Sequence, residues 1–353
     1  AVKAPTTVPL KTIQIIFMEN AWNFSPATAS ASVTDSIFKI ARKVQALQQE
    51  KKSSELDGFR KITSADMPEI WKFLSQEKGR TTDFSYGGVL MWVDFFHYEF
   101  TIYKNTLFIK GVVENDLSKP AFSLPVGELP LQESVRLLRE YCEANNLTLE
   151  FSAVPEYALE EMKTLNPVFV EELKDWGDYL YDAVPLSTVA GKKMSKKRNH
   201  VHQFEKNCEE WHTAPITPEN AMLAYDFMDI FDLEGDSTEM AAAERELSRQ
   251  LILRMKEGDP NLEGMLLYAD GKVCAYTIGD VKGDTLFVHV EKATRNVNSS
   301  YEMINYLFAK AMCEKYPEIK FINREDDAGD MGLRMAKESY HPVEILKKYN
   351  IIF

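Results

Sequence analysis

The sequence predicts a mixed α/β fold built twice in tandem. A helix, a three-strand meander, a helix, a strand and a further helix succeed one another in the first half, and the second half repeats that order. Two short identities keep step with the repeat: Thr106-Leu-Phe recurs as Thr285-Leu-Phe, 179 positions on, and Glu156 corresponds to Glu325, 169 positions on. The turn signals Asp270-Gly271 and Lys282-Gly283-Asp284 lie between alternating apolar runs and delimit the strands of the second meander. Three segments follow: an extension over 1–57, a first module over 58–184, and a second module over 185–353 that holds the candidate active site.

In the extension, Ser25 to Ser36 is rich in Ser, Ala and Thr and reads as loop. Ile37, Ile40, Ala41, Val44 and Leu47 then follow helical spacing, with Asp35 or Ser36 as cap. The first module opens on a helix near Ser64-Ala-Asp-Met-Pro68, where proline is tolerated in the first turn. Strands are expected at 99–103, 106–113 and 121–125, a helix at 131–145, a strand at 147–153, a helix after Pro155-Glu156, and a closing strand at 179–184. The second module is expected to have helices at 218–231 and 240–255 and meander strands at 264–268, 272–279 and 285–292. A helix at 301–314, a strand at 320–323, a short helix through Ala336 and an apolar end complete it.

Composition bounds the class. A 353-residue chain with 45% hydrophobic and 27% charged residues describes a soluble globular protein of two ordinary domains. No run approaches the ~18 apolar residues of a membrane span, and no signal peptide is recognisable. The expected compartment is the cytoplasm, with peripheral attachment to the inner membrane if the acceptor is a lipid. Cys142, Cys208, Cys274 and Cys313 stand singly, which argues against a disulfide framework and a zinc site. His200 and His202 lie two apart on a helix and point different ways, so no metal is expected there.

The net charge is −13, yet Lys192, Lys193, Lys196, Lys197 and Arg198 put five cations into seven residues. A local cation cluster on a negative background attracts a polyanion to one place, and phosphates are the obvious ligand. The run Gly191–His200 with Phe204, then Glu291-Lys-Ala293, Asn323–Gly329, Gly332-Leu-Arg334 and Ser339–Val343 together resemble the C-terminal catalytic domain of the phosphatidylglycerol lysyltransferases. The resemblance covers roughly 58–353. It implies two tandem acetyltransferase-like (GNAT) domains, each a mixed sheet flanked by helices, as in the Fem-type aminoacyltransferases. It also implies transfer of an aminoacyl or acyl group to a hydroxyl or amine acceptor, with aminoacyl-tRNA or acyl-CoA as donor and an anionic phospholipid among the possible acceptors. The turn Arg295-Asn-Val-Asn-Ser-Ser300 has no glycine where acetyltransferases hold the coenzyme pyrophosphate, which argues against acetyl-CoA binding in the usual manner. The alternative is a non-catalytic phosphate, nucleotide or anionic-lipid binder of the same fold. The oligomeric state is not legible.

The candidate catalytic residues are Glu291, Glu325, His289, Arg324 and Tyr340. His289 and Glu291 lie two apart on one strand, so their side chains are expected on one face. Arg324 and Glu325 follow a strand end, well placed over an α/β cleft. Tyr340 would protonate a leaving oxygen or anchor the C-terminal segment. Lys192, Lys193, Lys196, Lys197, Arg198, Arg295 and Ser299 are the candidate phosphate contacts, with Lys192 and Lys196 on one helical stripe. A single groove is expected to gather Lys196, Arg198, Glu291 and Glu325.

Overall fold

A computed structural model describes residues 54–113, 116–234 and 239–353, and places 54–353 in one compact unit. The helix expected at 37–47 lies outside the described residues. Two mixed sheets carry the fold. The first has the order β1 (Arg60–Lys61), β2 (Glu99–Tyr103), β3 (Thr106–Val113), β4 (Asp116–Phe122), β6 (Glu150–Pro155), β15 (Lys348–Ile352), β7 (Phe169–Glu172), with β5 (Val126–Gly127) beside β3. The second has the order β14 (Glu344–Leu346), β8 (Asp178–Asp182), β13 (Phe321–Asn323), β12 (Thr285–Ala293), β11 (Lys272–Lys282), β10 (Glu263–Ala269), β9 (Trp211–Pro215).

Read from opposite ends, the two sheets have the same order, which is the duplication expected from sequence. Their closing strands are exchanged. β8, at the end of the first half, pairs with β13 and β14 in the second sheet, and the C-terminal β15 lies between β6 and β7 in the first. A cut between 184 and 185 therefore leaves each sheet with a strand from the other segment. The strand at 179–184 was expected to close the first module, but its alternation of apolar residues fits either sheet. The Thr-Leu-Phe identity is also out of topological step. Thr106 opens the third strand of its sheet, whereas Thr285 opens the equivalent of β4, because β12 and β4 are the strands that pair parallel with β13 and β6. Glu156 and Glu325, each just past the equivalent strands β6 and β13, do correspond.

Ten helices are described: α1 (Met67–Leu74), α2 (Tyr86–Trp92), α3 (Leu131–Asn145), α4 (Glu156–Thr164), α5 (Ala183–Thr188), α6 (Ser195–Asn207), α7 (Ala221–Glu234), α8 (Glu239–Lys256), α9 (Ser300–Lys315) and α10 (Met331–Glu338). The first turn before α1 is fixed by Asp66, which accepts from the Thr63 amide and hydroxyl. One face of the second sheet, with Leu286 and Val288, packs with Val201, Phe204, Met303 and Phe308 of α6 and α9. The opposite face, with Tyr276, Ile278 and Val290, joins a continuous core with Tyr86 and Val89 of α2 and Phe227 of α7. A buried ion cluster marks the crossing of the exchanged strands. Lys348 on β15 meets Asp178 at 2.8 Å and Asp83 at 2.9 Å, and Asp178 also accepts from the Thr82 amide and the Asn323 side chain.

Candidate active site

β12 and β13 pair over only three residues, Thr285–Phe287 against Phe321–Asn323, and then part. β12 runs on to Ala293 with β11 alone beside it, so the sheet opens into a V at the C-terminal end of β13. Within this V, Ile278 pairs with Val290 and Gly279 with Val288, which leaves His289 as an extra residue on β12. Such a bulge shifts the alternation of side chains by one residue. Val288 and Val290 accordingly pack into different cores, and His289 and Glu291 end on opposite faces of the sheet. The expectation that they share a face fails because the bulge adds a residue to β12, where no residue marks it; the one sign is Gly279 on the partner strand, at the register shift.

The face covered by α6 and α9 carries Glu291. Its Oε1 accepts from Arg324 Nη2 at 2.7 Å and its Oε2 from Asn305 Nδ2 on α9 at 3.0 Å. Held by that carboxylate, the Arg324 guanidinium lies 4.6 Å from the Tyr340 ring centre and 5.9 Å from that of Tyr181. Its Nη1 is buried and has no hydrogen-bond partner among the described residues. Lys197 on α6 stands on the Tyr340 ring, 3.8 Å from its centre, and pairs with Glu302 of α9 at 3.5 Å. Burial lowers the Lys197 pKa and the Arg324 charge adds to this, while Glu302 opposes it. Burial pushes the Tyr340 hydroxyl pKa up, so the phenol keeps its proton. Glu291, Arg324, Lys197, Tyr340, Asn305 and Glu302 thus form one half-buried chamber in which two cations lie against the Tyr340 ring and each is held by a carboxylate.

The opposite face carries a second cluster. His289 donates from Nε2 to Asp280 Oδ1 at 2.5 Å and from Nδ1 to Glu325 Oε1 at 2.8 Å. Burial alone would depress the imidazole pKa, but the two carboxylates outweigh it and raise the value to about 10. His289 is therefore an imidazolium near neutral pH and a donor on both sides, not a base. Asp280 is anchored in turn by the Gly87 and Tyr86 amides of α2, at 2.8 and 3.3 Å. A Cβ on Gly87 would sit 2.4 Å from the imidazole Cδ2, so only glycine lets α2 approach this closely. Glu325 adopts φ +58°, a left-handed conformation that turns its side chain away from that of Arg324. Beside it, burial raises Asp326 to about 7; Lys348 and Lys337 work against the rise, Asp178 and Glu325 with it.

The basic run divides. α6 begins at Ser195, so Lys192 and Lys193 precede the helix and share no helical stripe with Lys196 or Lys197. Lys192, Lys193 and Lys196 are exposed, and Lys197 alone reaches the chamber. Arg198 does not face a ligand groove. Its Nη1 donates to the carbonyls of Val189 at 2.8 Å and Gly191 at 3.3 Å, holding the loop before α6. The groove expected to gather Lys196, Arg198, Glu291 and Glu325 is thus not formed. Ser299 precedes α9 and approaches His200 Nδ1 at 3.2 Å, which brings α6 against the loop carrying exposed Arg295. No cluster of His, Cys, Asp and Glu suited to a metal occurs among the described residues. Two surface clefts, of about 580 and 350 Å³, are lined by other residues. Sequence reasoning missed Asp280, Gly87, Asn305 and Glu302; Gly87-Gly88 inside an apolar helix was the one available signal.

A family model described as phosphatidylglycerol lysyltransferase, C-terminal, matches residues 75–352. A conserved protein of unknown function from Bacteroides thetaiotaomicron superposes with a TM-score of 0.75 at 30% identity, over 84% of this chain and all of that one. L-PGS from Bacillus licheniformis shares the fold at a TM-score of 0.58 and 13% identity, over 84% of this chain and 94% of that one. An uncharacterized protein of Mycoplasmoides gallisepticum is 24% identical over 179 residues, 49% of this chain; the chain thus spans about half (54%) of that relative's length. No helix among the described residues is long and apolar enough to cross a membrane. With two mixed sheets that exchange their closing strands and a match across nearly all of the described unit, the chain belongs to the phosphatidylglycerol lysyltransferase C-terminal family.

Proposed function

We propose that the chain is a transferase that moves an aminoacyl group from aminoacyl-tRNA, or an acyl group from acyl-CoA, to a hydroxyl or amine acceptor. The observation that carries this reading is the buried Arg324 Nη1, which has no hydrogen-bond partner among the described residues, at the opening of the β12–β13 V. A buried cationic N–H left unpaired is costly unless a ligand oxygen completes it. A carbonyl oxygen gaining negative charge during acyl transfer is such an oxygen. Glu291 and Asn305 hold the guanidinium in place for it.

In this scheme the acceptor oxygen or nitrogen attacks the donor carbonyl carbon and its proton passes to the Lys197 amine, which burial and the nearby Arg324 charge make easier to deprotonate. The tetrahedral adduct then collapses, the bond to the donor's ester oxygen or thioester sulfur breaks, and the leaving atom takes a proton back. Lys196, Arg295 and the Ser299–His200 contact at the start of α9 supply the polar rim that meets the donor phosphates. A phospholipid hydroxyl is an acceptor of the right class. Incubation with charged tRNA and with acyl-CoA, each with hydroxyl and amine acceptors, tests the reading. Loss of donor with matching product is expected, and no loss from either donor would overturn it. The glycine-free turn at 295–300 favours a second reading, a phosphate or anionic-lipid binder without turnover. That reading gains if E291Q leaves activity in the host unchanged.

A further inference from the structure

Helix α10 turns its cations inward and its apolar side chains outward. Arg334 pairs with Asp327 and Asp175, and Lys337 is 8% exposed and donates to the carbonyls of Arg324 and Asp326. Met331 is 62%, Leu333 43% and Met335 68% exposed. At about 100° per residue, the outward arc runs Met331, Met335, Gly332, Ala336, Leu333. All five residues are exposed and none is charged. The arc also has relief: Gly332 and Ala336, one turn apart, leave a shallow groove between a methionine ridge and Leu333. A surface helix normally buries its apolar stripe, so this one is shaped to meet a partner.

The rim carries both signs of charge. Asp330 caps the first turn of α10, and Glu338 and Glu344 follow, all three exposed. The loop with exposed Lys192 and Lys193 adjoins the far end of the helix, where His341 Nε2 lies 3.3 Å from the Lys193 carbonyl. A surface of one sign would meet like charge at one end or the other. A second copy of the same face, turned about a twofold axis, offers both signs. Antiparallel crossing sets the Asp330 end of each helix against the other's far end, where two lysines face Glu338. It also seats the methionine ridge of each helix in the Gly332–Ala336 groove of the other. We propose that the outward face of α10 binds the same face of a second copy of this chain, the two helices crossing antiparallel. Val343, 51% exposed, and Ile345 on the edge strand β14 continue the apolar surface past the helix. Two short helices with these flanks make a small interface, which sets the dimer among weak, reversible ones. Lys337 ties α10 to the backbone of Arg324, so the contact braces the segment that carries this arginine. The inference is independent of the transfer reading.

Sedimentation equilibrium of the full chain from roughly 1 to 200 μM measures the self-association. A reversible monomer–dimer equilibrium within that range is expected. M331S with M335S is expected to weaken the dimer at least about tenfold, since both side chains lose apolar burial. K192E with K193E is expected to weaken it about tenfold or more, because the Asp330 end of the partner then meets like charge. A336L is the discriminating variant. It adds apolar area to an exposed position but fills the groove, so a face that is merely sticky would associate more tightly. A face fitted to its own copy loses the seat for the methionine ridge, and at least about tenfold weaker association is expected. Far-UV circular dichroism and the urea midpoint of A336L should match the parent, which separates loss of the contact from damage to the fold. A parent that stays monomeric at every concentration, or A336L that associates as tightly as the parent, would overturn the proposal. Serine variants that dimerise like the parent would do the same by assigning the contact to another surface.

Discussion

Replacing His289 by glutamine tests the charge assigned to the bulge. The imidazole has an ordinary value of 6.5 and is held at about 10 in the folded protein by Asp280 and Glu325. A folded pKa above the unfolded one means that the native state retains a proton which the unfolded state has released. Its stabilisation is complete below about pH 6.5 and is lost as pH rises through about 10. Within that window the loss runs at about 1.4 kcal/mol per pH unit, or about 3 kcal/mol between pH 7 and 9. H289Q removes the titrating group and leaves two carboxylates facing a neutral amide. A cost of about 3–5 kcal/mol is expected at pH 7, as for other broken buried pairs. Urea unfolding of both proteins at several pH values from 7 to 9 measures this directly. Groups common to both proteins cancel in the difference, so the gap should narrow by about 3 kcal/mol across the range. A gap that stays constant with pH would show that His289 is neutral in the native state.

Three further outcomes are expected. G87A places a methyl group 2.4 Å from the imidazole, and overpacking of this kind should cost about 1–3 kcal/mol in denaturant unfolding. K348M leaves Asp83 and Asp178 buried without their shared cation and should destabilise by about 3–5 kcal/mol at pH 7; a large part of that loss should return in D178N/K348M. R198A frees the Val189 and Gly191 carbonyls and should cost about 1–2 kcal/mol of stability, while K196A should leave stability unchanged and weaken the salt dependence of donor binding.

Local signals made much of the fold legible. α3 was expected at 131–145 and is found there, because its apolar periodicity ends at Asn146 in the left-handed conformation that asparagine tolerates. The second meander was set by turns whose residues fix their own geometry. Glu291, Arg324 and Tyr340 were singled out, and they meet. What the sequence left unread is either long-range or locally silent. Nothing in Asp178–Asp182 or Lys348–Ile352 says which sheet each strand joins, since the exchange depends on pairing with β13 and β6 far along the chain. The glycine that accompanies the bulge at His289 is Gly279, on the facing strand, so nothing within β12 itself announced it and the parity of Glu291 was misjudged. Arg198 looked like a ligand contact because a side chain turned back to backbone carbonyls reads the same in sequence as one facing solvent.

The account turns on Arg324 and the carboxylate that holds it. The most direct test is single-turnover transfer by R324K and E291Q, with donor affinity measured in parallel. The lysine cannot keep a second donor aimed while paired to Glu291, so the transfer step should slow about 10²–10³-fold with donor affinity nearly unchanged. Transfer at the parent rate by both variants would show that the chamber between β12, α6 and α9 is not where the acyl group moves.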